Sequence, residues 1–149
     1  MERKPFSIRP MAVDDFSPVY KLGLRCYNVL DKPYNYWSLR EVASHLEGNP
    51  DLCFVAESER RVVAFVMGDR QFEILKNTGH LEWIAVDEEF RRQGIASCLI
   101  REMEQVFRRL GKEQIVADIS SENTVSRAMA QHSGFSKGIS VTFFIKKLK

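Results

Sequence analysis

One continuous stretch of the chain carries the strongest constraint on its fold, because its hydrophobic spacing changes from strand-like to helix-like across a short basic turn. Residues 80–86 are a mostly apolar, strand-like run, and residues 87–93 are polar. Residues 94–110 repeat apolar side chains at helical spacing, namely Ile95, Leu99, Met103, Val106 and Leu110, and the pattern stops at Gly111. The stretch predicts a strand, a turn and a long helix in direct succession.

Other segments of the chain show the same two kinds of spacing. Strands are predicted at residues 6–11, 52–57, 62–69, 114–119 and 141–148, and helices at residues 16–27, 39–47 and 121–132. Ser38 is placed to cap the helix at 39–47, with Glu41 three residues later completing a capping box. The charged turn at residues 58–61 predicts an antiparallel hairpin between its two neighbouring strands.

Length and composition limit the class of protein. The 149 residues are predicted to form one domain over 1–149, long enough to cover a sheet with helices. The 22 basic and 20 acidic residues nearly cancel, so neither nucleic acid nor a membrane surface is an expected partner. The N-terminus lacks the apolar core of a secretory signal, and no run reaches the ~18 apolar residues of a membrane span. We expect a soluble, cytoplasmic protein.

The three cysteines predict neither a disulfide framework nor a structural zinc site. Cys26, Cys53 and Cys98 are widely spaced, and none belongs to a CxxC pair. We expect all three to be reduced packing residues, and we expect no bound metal.

The turn before the long helix has the features of a phosphate site. A helix N-terminus leaves backbone N–H groups without partners and carries the positive end of the helix dipole. Gly94 has no Cβ and allows close approach, and Ala96 keeps the first turn small. Arg91 and Arg92 add positive charge beside the site. These features predict that the loop binds a pyrophosphate.

Two motifs resemble those of the GNAT superfamily of acetyltransferases. Arg91-x-x-Gly94-x-Ala96 after a strand resembles its acetyl-coenzyme A loop, and Asn123-x-x-Ser126, opening a helix that ends in Gly134-Phe135, resembles its second motif. The resemblance implies an α/β (α+β) fold with a central mixed, mostly antiparallel sheet of six to seven strands, flanked by about four helices. It also implies transfer of an acetyl group from acetyl-CoA, as co-substrate, to a primary amine.

The resemblance also assigns the residues that would hold the coenzyme. The backbone of the strand would pair with the pantetheine arm like an added strand, and the amides of residues 92–97 would hold the pyrophosphate. Asn123 would contact the coenzyme beyond its thioester. The full predicted set is Ile84, Ala85, Val86, Arg91, Arg92, Gln93, Gly94, Ile95, Ala96, Ser97, Asn123 and Ser126.

Glu82 is the first candidate for a general base. A lysine-like amine is more than three pKa units from neutrality at pH 7, and deprotonating it costs about 4 to 5 kcal/mol. Glu82 is the one acid in an otherwise apolar strand, where partial burial would raise its pKa, and His80 lies on the same face. Polyamine acetyltransferases of the superfamily resemble this segment, with a proposed base at the matching position. Asp118 is the second candidate, because ribosomal-protein N-terminal acetyltransferases carry an acid at the corresponding place.

One departure from the superfamily leaves a second functional class open. Many members have a general-acid tyrosine seven residues after the asparagine, where this chain has Ala130. Expelling the thiolate without protonating it costs only ~2 kcal/mol at pH 7, so Ala130 is compatible with an active enzyme. The alternative is a catalytically weak acyl-CoA-binding sensor. A basic interaction domain is disfavoured because the arginines near residues 91–112 spread around one helix.

The acceptor is expected beside the aromatic segment at residues 28–37. Tyr34, Tyr36 and Trp37 could form a wall for an amine, or simply pack the loop. Few acids cluster there beyond Asp31 and Glu41, so a polycationic acceptor is not strongly indicated, and a peptide N-terminus would need less deprotonation. Small molecules and peptides both stay open. An exposed final strand could also pair across a homodimer.

Overall fold

The computed structural model describes residues 2–27 and 37–149 of the chain. Within these ranges it contains five strands and four α-helices, with short 3-10 turns between some of them. In chain order the elements are β1 (Ser7–Pro10), α1 (Phe16–Cys26), α2 (Leu39–Gly48), β2 (Cys53–Ser58), β3 (Arg61–Asp69), β4 (Thr78–Val86), α3 (Ile95–Arg109), β5 (Gln114–Ala117) and α4 (Thr124–His132).

The strands form one sheet in the order β1-β2-β3-β4-β5. The first four strands are antiparallel to their neighbours, whereas β5 runs parallel to β4. The parallel pairing extends from Thr78 with Gln114 to Leu81 with Ala117 and then stops. From Glu82 onward, the β5-side edge of β4 has no strand partner among the described residues. The sheet therefore opens between β4 and β5.

Helices cover both faces of the sheet and bury two cores. On one face, the apolar stripe of α3 packs against the strands through Leu99, Met103 and Phe107, all at most 1% exposed. On the other face, α1 and α2 contribute Val19 and Val42 to a cluster that includes Phe65 and Trp83. Because β3 is covered on both faces, Val62 to Met67 are all buried. The stripe predicted in residues 94–110 is confirmed as the core-facing side of α3.

The sheet is smaller than predicted, because the described chain has five strands rather than six to seven. The strand predicted at residues 141–148 is wrong: no helix or strand follows His132. In the segment after His132, six large apolar side chains are more than half exposed, namely Ile139, Val141, Phe143, Phe144, Ile145 and Leu148. An apolar alternating pattern becomes a strand only when a neighbouring strand supplies hydrogen bonds, and no described strand pairs with this segment.

No helix in the described ranges has the length and apolar character needed to cross a membrane.

Candidate active site

A β-bulge places Glu82 at the opening of the sheet. On β3, Gly68 pairs with Leu81 and its neighbour Met67 pairs with Trp83, so Glu82 is skipped in the register. Leu81 packs in the core beneath α3, while Trp83 packs on the face covered by α1 and α2. The extra residue therefore shifts the alternation of β4 and turns Glu82 toward α2.

Glu82 lies in a chain of acids and histidines that crosses the site. Its Oε2 is 3.0 Å from Nε2 of His45 and 4.0 Å from Nδ1 of His80. The Nε2 atom of His80 lies 2.6 Å from Oδ1 of Asp118, and Nε2 of His45 lies 3.2 Å from Oε1 of Glu41. Both acids predicted from the sequence thus belong to one network, and His80 connects them.

The electrostatics of the network centre on His45. Burial lowers the pKa of His45, but its hydrogen bonds to Glu41 and Glu82 outweigh that effect and raise the pKa to about 9. The same hydrogen bond from His45 lowers the pKa of Glu41, against its burial, and a hydrogen bond from the Trp83 indole adds to the lowering. At neutral pH, His45 is therefore an imidazolium between two carboxylates.

His45 was not singled out from the sequence, and Glu41 was assigned a capping role and named as one of the few acids near the acceptor. The Ser38 side chain does accept from the Glu41 amide at 3.1 Å, so the predicted cap is present. The Glu41 carboxylate instead accepts from Trp83 Nε1 at 3.1 Å and meets His45 one helical turn later. The signal available in the sequence was an acid and a histidine four residues apart, on the same face of α2.

Trp37 packs inside an aromatic cluster formed with Tyr27, Phe65 and Trp83. Its ring stacks on Phe65 at 5.3 Å and meets Trp83 edge-on at 5.1 Å. Its Nε1 donates to the Tyr20 carbonyl oxygen at 2.9 Å. The ring lies directly over Gly23, where any Cβ would collide with it. Trp37 thus supports Trp83 from behind. The other two residues of the predicted wall, Tyr34 and Tyr36, lie outside the described residues.

The loop before α3 has the backbone arrangement that anion sites use. Gly94 caps the helix in the left-handed conformation, with φ of 82°, which glycine adopts without strain. The first intrahelical bond runs from the Cys98 amide to the Gly94 carbonyl oxygen at 3.1 Å. The amides of Ile95, Ala96 and Ser97 therefore have no acceptor within the helix. These amides, at the positive end of α3, can take up anionic oxygens.

A cleft of ≈ 870 Å³ opens at this loop. It is lined by Arg92, Gln93, Gly94 and Ser97 of the predicted set. Arg3 and Arg101 add positive charge along it, and Glu104 is the one acid among the described residues of its lining. The lining also includes His132 and Ser133, and the Ser133 hydroxyl lies 3.4 Å from that of Ser97. Its volume and its positive charge suit a nucleotide-sized anion.

The remaining predicted coenzyme residues have structural contacts of their own. Arg91 donates through Nε to the Val86 carbonyl oxygen at 3.1 Å and so fastens the loop to the end of β4. Asn123 caps α4, because its Oδ1 accepts from the Ser126 amide at 3.1 Å. The backbone of Ile84, Ala85 and Val86 lies along the open edge of β4. Ala130 is buried in α4, with 6% of its surface exposed.

A second cleft, of ≈ 460 Å³, adjoins His80 on the other side of the network. Asp69 and Glu73 line it, together with Gln71, Phe72 and Ile74. The Phe72 ring meets the His80 ring edge-on at 5.1 Å. This cleft therefore combines an aromatic surface with two acids, and His80 connects it to Glu82 and Asp118.

Comparisons with known proteins agree with this architecture. The model of the Acetyltransferase (GNAT) family matches residues 16–135. The chain is 31% identical over 124 residues to an aminoglycoside N(6')-acetyltransferase type 1 of Acinetobacter haemolyticus, covering 75% of this chain and 85% of that protein. It is 28% identical over 143 residues to an N-alpha-acetyltransferase of Saccharolobus solfataricus, covering 90% and 82%.

A solved structure has the same fold. An aminoglycoside N-acetyltransferase in complex with CoA matches with a TM-score of 0.76 at 22% identity, covering 95% of this chain and 99% of that one. The family match includes both motifs identified in the sequence and all four α-helices. The chain belongs to the Acetyltransferase (GNAT) family and is an N-acetyltransferase.

Proposed function

We propose that this enzyme transfers the acetyl group of acetyl-CoA directly to a primary amine of a cationic small molecule, with Glu82 as the general base. The observation that carries the proposal is the bulge. It brings a carboxylate to the point where β4 and β5 part, beside His80, which lines the smaller cleft.

Coenzyme binding follows from the two features beside β4. The free amides at the start of α3 and the basic lining of the larger cleft bind the pyrophosphate. The open edge of residues 84–86 pairs with the amide groups of the pantetheine arm as an added strand would. This arrangement leads the thioester along β4 toward Glu82.

The chemistry needs an amine that has lost a proton. Glu82 accepts that proton, and the neutral nitrogen then attacks the thioester carbonyl carbon. The nitrogen loses its second proton to solvent as the carbon–sulfur bond breaks and the coenzyme leaves as a thiolate. General bases of this kind contribute about 10²- to 10⁴-fold to a rate. The hydrogen-bonding partners His45 and His80 hold the Glu82 carboxylate on the face that the acceptor approaches. Backbone N–H groups on the open edge of β4 are placed to polarise the carbonyl oxygen.

Departure of the thiolate does not require a dedicated acid in this chain. Ala130 supplies no proton at the position where many family members have a tyrosine, and it is buried. An unprotonated thiolate with a reference pKa near ~8.5 costs about 2 kcal/mol at pH 7. The collapse of the intermediate is therefore slower, not blocked, and water can protonate the thiolate after release.

The acceptor class follows from charge. Few acids are expected near the acceptor from the sequence, but the fold brings Asp69 and Glu73 to the smaller cleft, which is also lined by His80 of the network. A molecule with several ammonium groups places one amine at Glu82 and others against Asp69 and Glu73. The relative from Acinetobacter haemolyticus is named for an aminoglycoside acceptor, which belongs to this chemical class.

The test is thiol release from acetyl-CoA with aminoglycosides, linear polyamines and N-terminal peptides as acceptors. Glu82→Gln should lower kcat for the best cationic acceptor by about 10²-fold or more, while acetyl-CoA still binds. Glu47→Gln is the matched control, because Glu47 is an exposed acid on α2 outside the network. Asp69→Asn should raise KM for cationic acceptors more than for peptides. Full activity of Glu82→Gln, or turnover with peptides alone, would refute the assignment.

A further inference from the structure

We propose that Glu41, His45 and Glu82 form a binding site for a divalent transition-metal ion of the zinc type, and that the bound ion inhibits acetyl transfer. The proposal uses the Glu82 side chain in a second role. It shares Glu82 and His45 with the proposed function but predicts metal binding whether or not Glu82 is the base.

The donor atoms already stand close to the spacing that zinc requires. One ligand atom from each of the three residues lies within 4.8 Å of the other two. The His45 Nε2 atom is 3.0 Å from Glu82 Oε2 and 3.2 Å from Glu41 Oε1. Tetrahedral ligands at the usual zinc bond lengths of about 2.0 to 2.1 Å are roughly 3.3 to 3.4 Å apart. Small side-chain movements would therefore complete one face of a tetrahedron.

The histidine is oriented as metal-binding histidines are. Its Nδ1 lies 3.3 Å from the Gly68 carbonyl oxygen, and a hydrogen on Nδ1 donates to that oxygen. Nε2 then faces the two carboxylates, and a cation takes the place of its hydrogen. A backbone carbonyl that fixes the ring in this way is a common outer partner of metal-ligating histidines.

A second outer partner orients one of the carboxylates. Trp83 Nε1 donates to Oε1 of Glu41 at 3.1 Å, the same oxygen that faces His45. Trp83 is itself held by the aromatic cluster, since its ring meets Trp37 at 5.1 Å. The ligands are therefore supported by the core of the protein, not by an exposed loop.

Burial and charge fit an open three-ligand site. The His45 side chain is 7% exposed, whereas those of Glu82 and Glu41 are 17% and 23% exposed, so an ion can enter from the carboxylate side. Two carboxylates and one neutral imidazole carry two negative charges, which a divalent ion balances. One nitrogen and two oxygen ligands favour zinc or cobalt over magnesium or calcium, which take oxygen ligands. The fourth position is left for water or the acceptor amine.

Inhibition follows because a carboxylate oxygen bound to a metal cannot accept the proton of the acceptor amine. The effect is reversible, since removing the ion with a chelator frees Glu82 again.

The experiment is titration of the full chain with Co²⁺ and then Zn²⁺, without acetyl-CoA or acceptor. We expect one ion per chain, visible tetrahedral Co²⁺ bands without the near-ultraviolet charge transfer of a thiolate, and displacement by Zn²⁺. The absence of the charge-transfer band separates this site from Cys26 and Cys98, which are partly exposed thiols. His45→Gln and Glu41→Gln should each weaken Zn²⁺ binding by more than about 100-fold, beyond the loss seen when an outer partner is removed.

The matched controls are His132→Gln and Glu47→Gln, which leave the cluster intact and should bind Zn²⁺ within about threefold of wild type. Thermal unfolding of each variant verifies folding, and Glu41→Gln tests the site if His45→Gln does not fold. The proposal would be overturned if the wild type bound no ion, if Co²⁺ showed thiolate bands, or if Zn²⁺ binding survived both ligand variants. Acetyl transfer is measured separately in chelator. If Glu82→Gln lowers acetyl transfer in chelator but the wild type binds no metal, the metal site alone is rejected. If the wild type binds metal but Glu82→Gln transfers acetyl normally, the role of Glu82 as base alone is rejected.

Discussion

Replacing Gly23 with alanine tests whether the Trp37 ring packs over Gly23 and so holds Trp83 in place beneath the site. A Cβ at Gly23 would lie 2.1 to 2.4 Å from three atoms of the Trp37 indole, so the ring must move. Overpacking of this kind costs about 1 to 3 kcal/mol. Loss of the Trp37 hydrogen bond to the Tyr20 carbonyl oxygen adds about 1 kcal/mol. The better helix propensity of alanine returns about 1 kcal/mol.

The expected net destabilisation of Gly23→Ala is therefore about 1 to 3 kcal/mol, since the last two contributions nearly cancel. At about 2 to 4 °C per kcal/mol for a chain of this size, the unfolding midpoint should fall by several degrees. Gly48→Ala is the control, because Gly48 is also helical and a Cβ there meets nothing within 4 Å.

The assay is thermal and urea unfolding followed by circular dichroism, with tryptophan fluorescence of the folded state. Gly48→Ala should be as stable as the wild type or slightly more stable. Gly23→Ala should unfold earlier and shift its emission, since Trp37 leaves its stack on Phe65. Equal stability of the two variants would mean that Trp37 is not packed over Gly23, and the reasoning would fail.

Three further outcomes are expected. Gly94→Ala should weaken acetyl-CoA binding as measured by calorimetry, because a left-handed φ of 82° costs a non-glycine residue about 1 to 2 kcal/mol; unchanged affinity would contradict this. Burial would raise the pKa of Asp15, but hydrogen bonds from Arg9 and from a backbone amide lower this pKa overall. The ionised Asp15 therefore stabilises the folded protein fully above about pH 4, and this contribution is lost as the pH falls through the lowered pKa. Urea unfolding should accordingly show a stability gap between wild type and Asp15→Asn at pH 7 that narrows in acid; a gap independent of pH would be inconsistent with the ion pair. His80→Gln and Asp118→Asn should be non-additive in kcat/KM, since the pair is 2.6 Å apart, and strict additivity in the double-mutant cycle would show that the two side chains act separately.

The parts of the fold that the sequence predicted are those determined by local pattern. The stripe of α3 and the glycine before it were located within one residue of the observed helix, because helical spacing and a left-handed cap are properties of neighbouring residues. Glu82 was singled out for the same reason, as one acid in an apolar strand, and its role as a base stays a prediction. Residues 141–148 show the limit, since their alternation is strand-like but no described strand pairs with them.

The parts that the sequence could not predict depend on long-range contacts. His45 reaches Glu82 across 37 positions of sequence, and only the packing of α2 on the sheet brings them within 3.0 Å. Trp37 could be named as an aromatic residue of interest, but its place over Gly23 depends on how the two segments meet. The acids of the smaller cleft were likewise missed, because Asp69 and Glu73 become neighbours of His80 only in the folded sheet.

The bulge in β4 separates the requirements of folding from those of chemistry. If residue 82 were deleted, Leu81 and Trp83 would become consecutive, and ordinary alternation would still send them to opposite faces, where they already pack. The packing of the two cores therefore does not require Glu82, the extra residue of the strand. A shortened β4 could keep every apolar contact and every partner on β3, and would lose only a carboxylate. Glu82 is in this sense an insertion that the fold tolerates, so its side chain can be exchanged with little effect on either core.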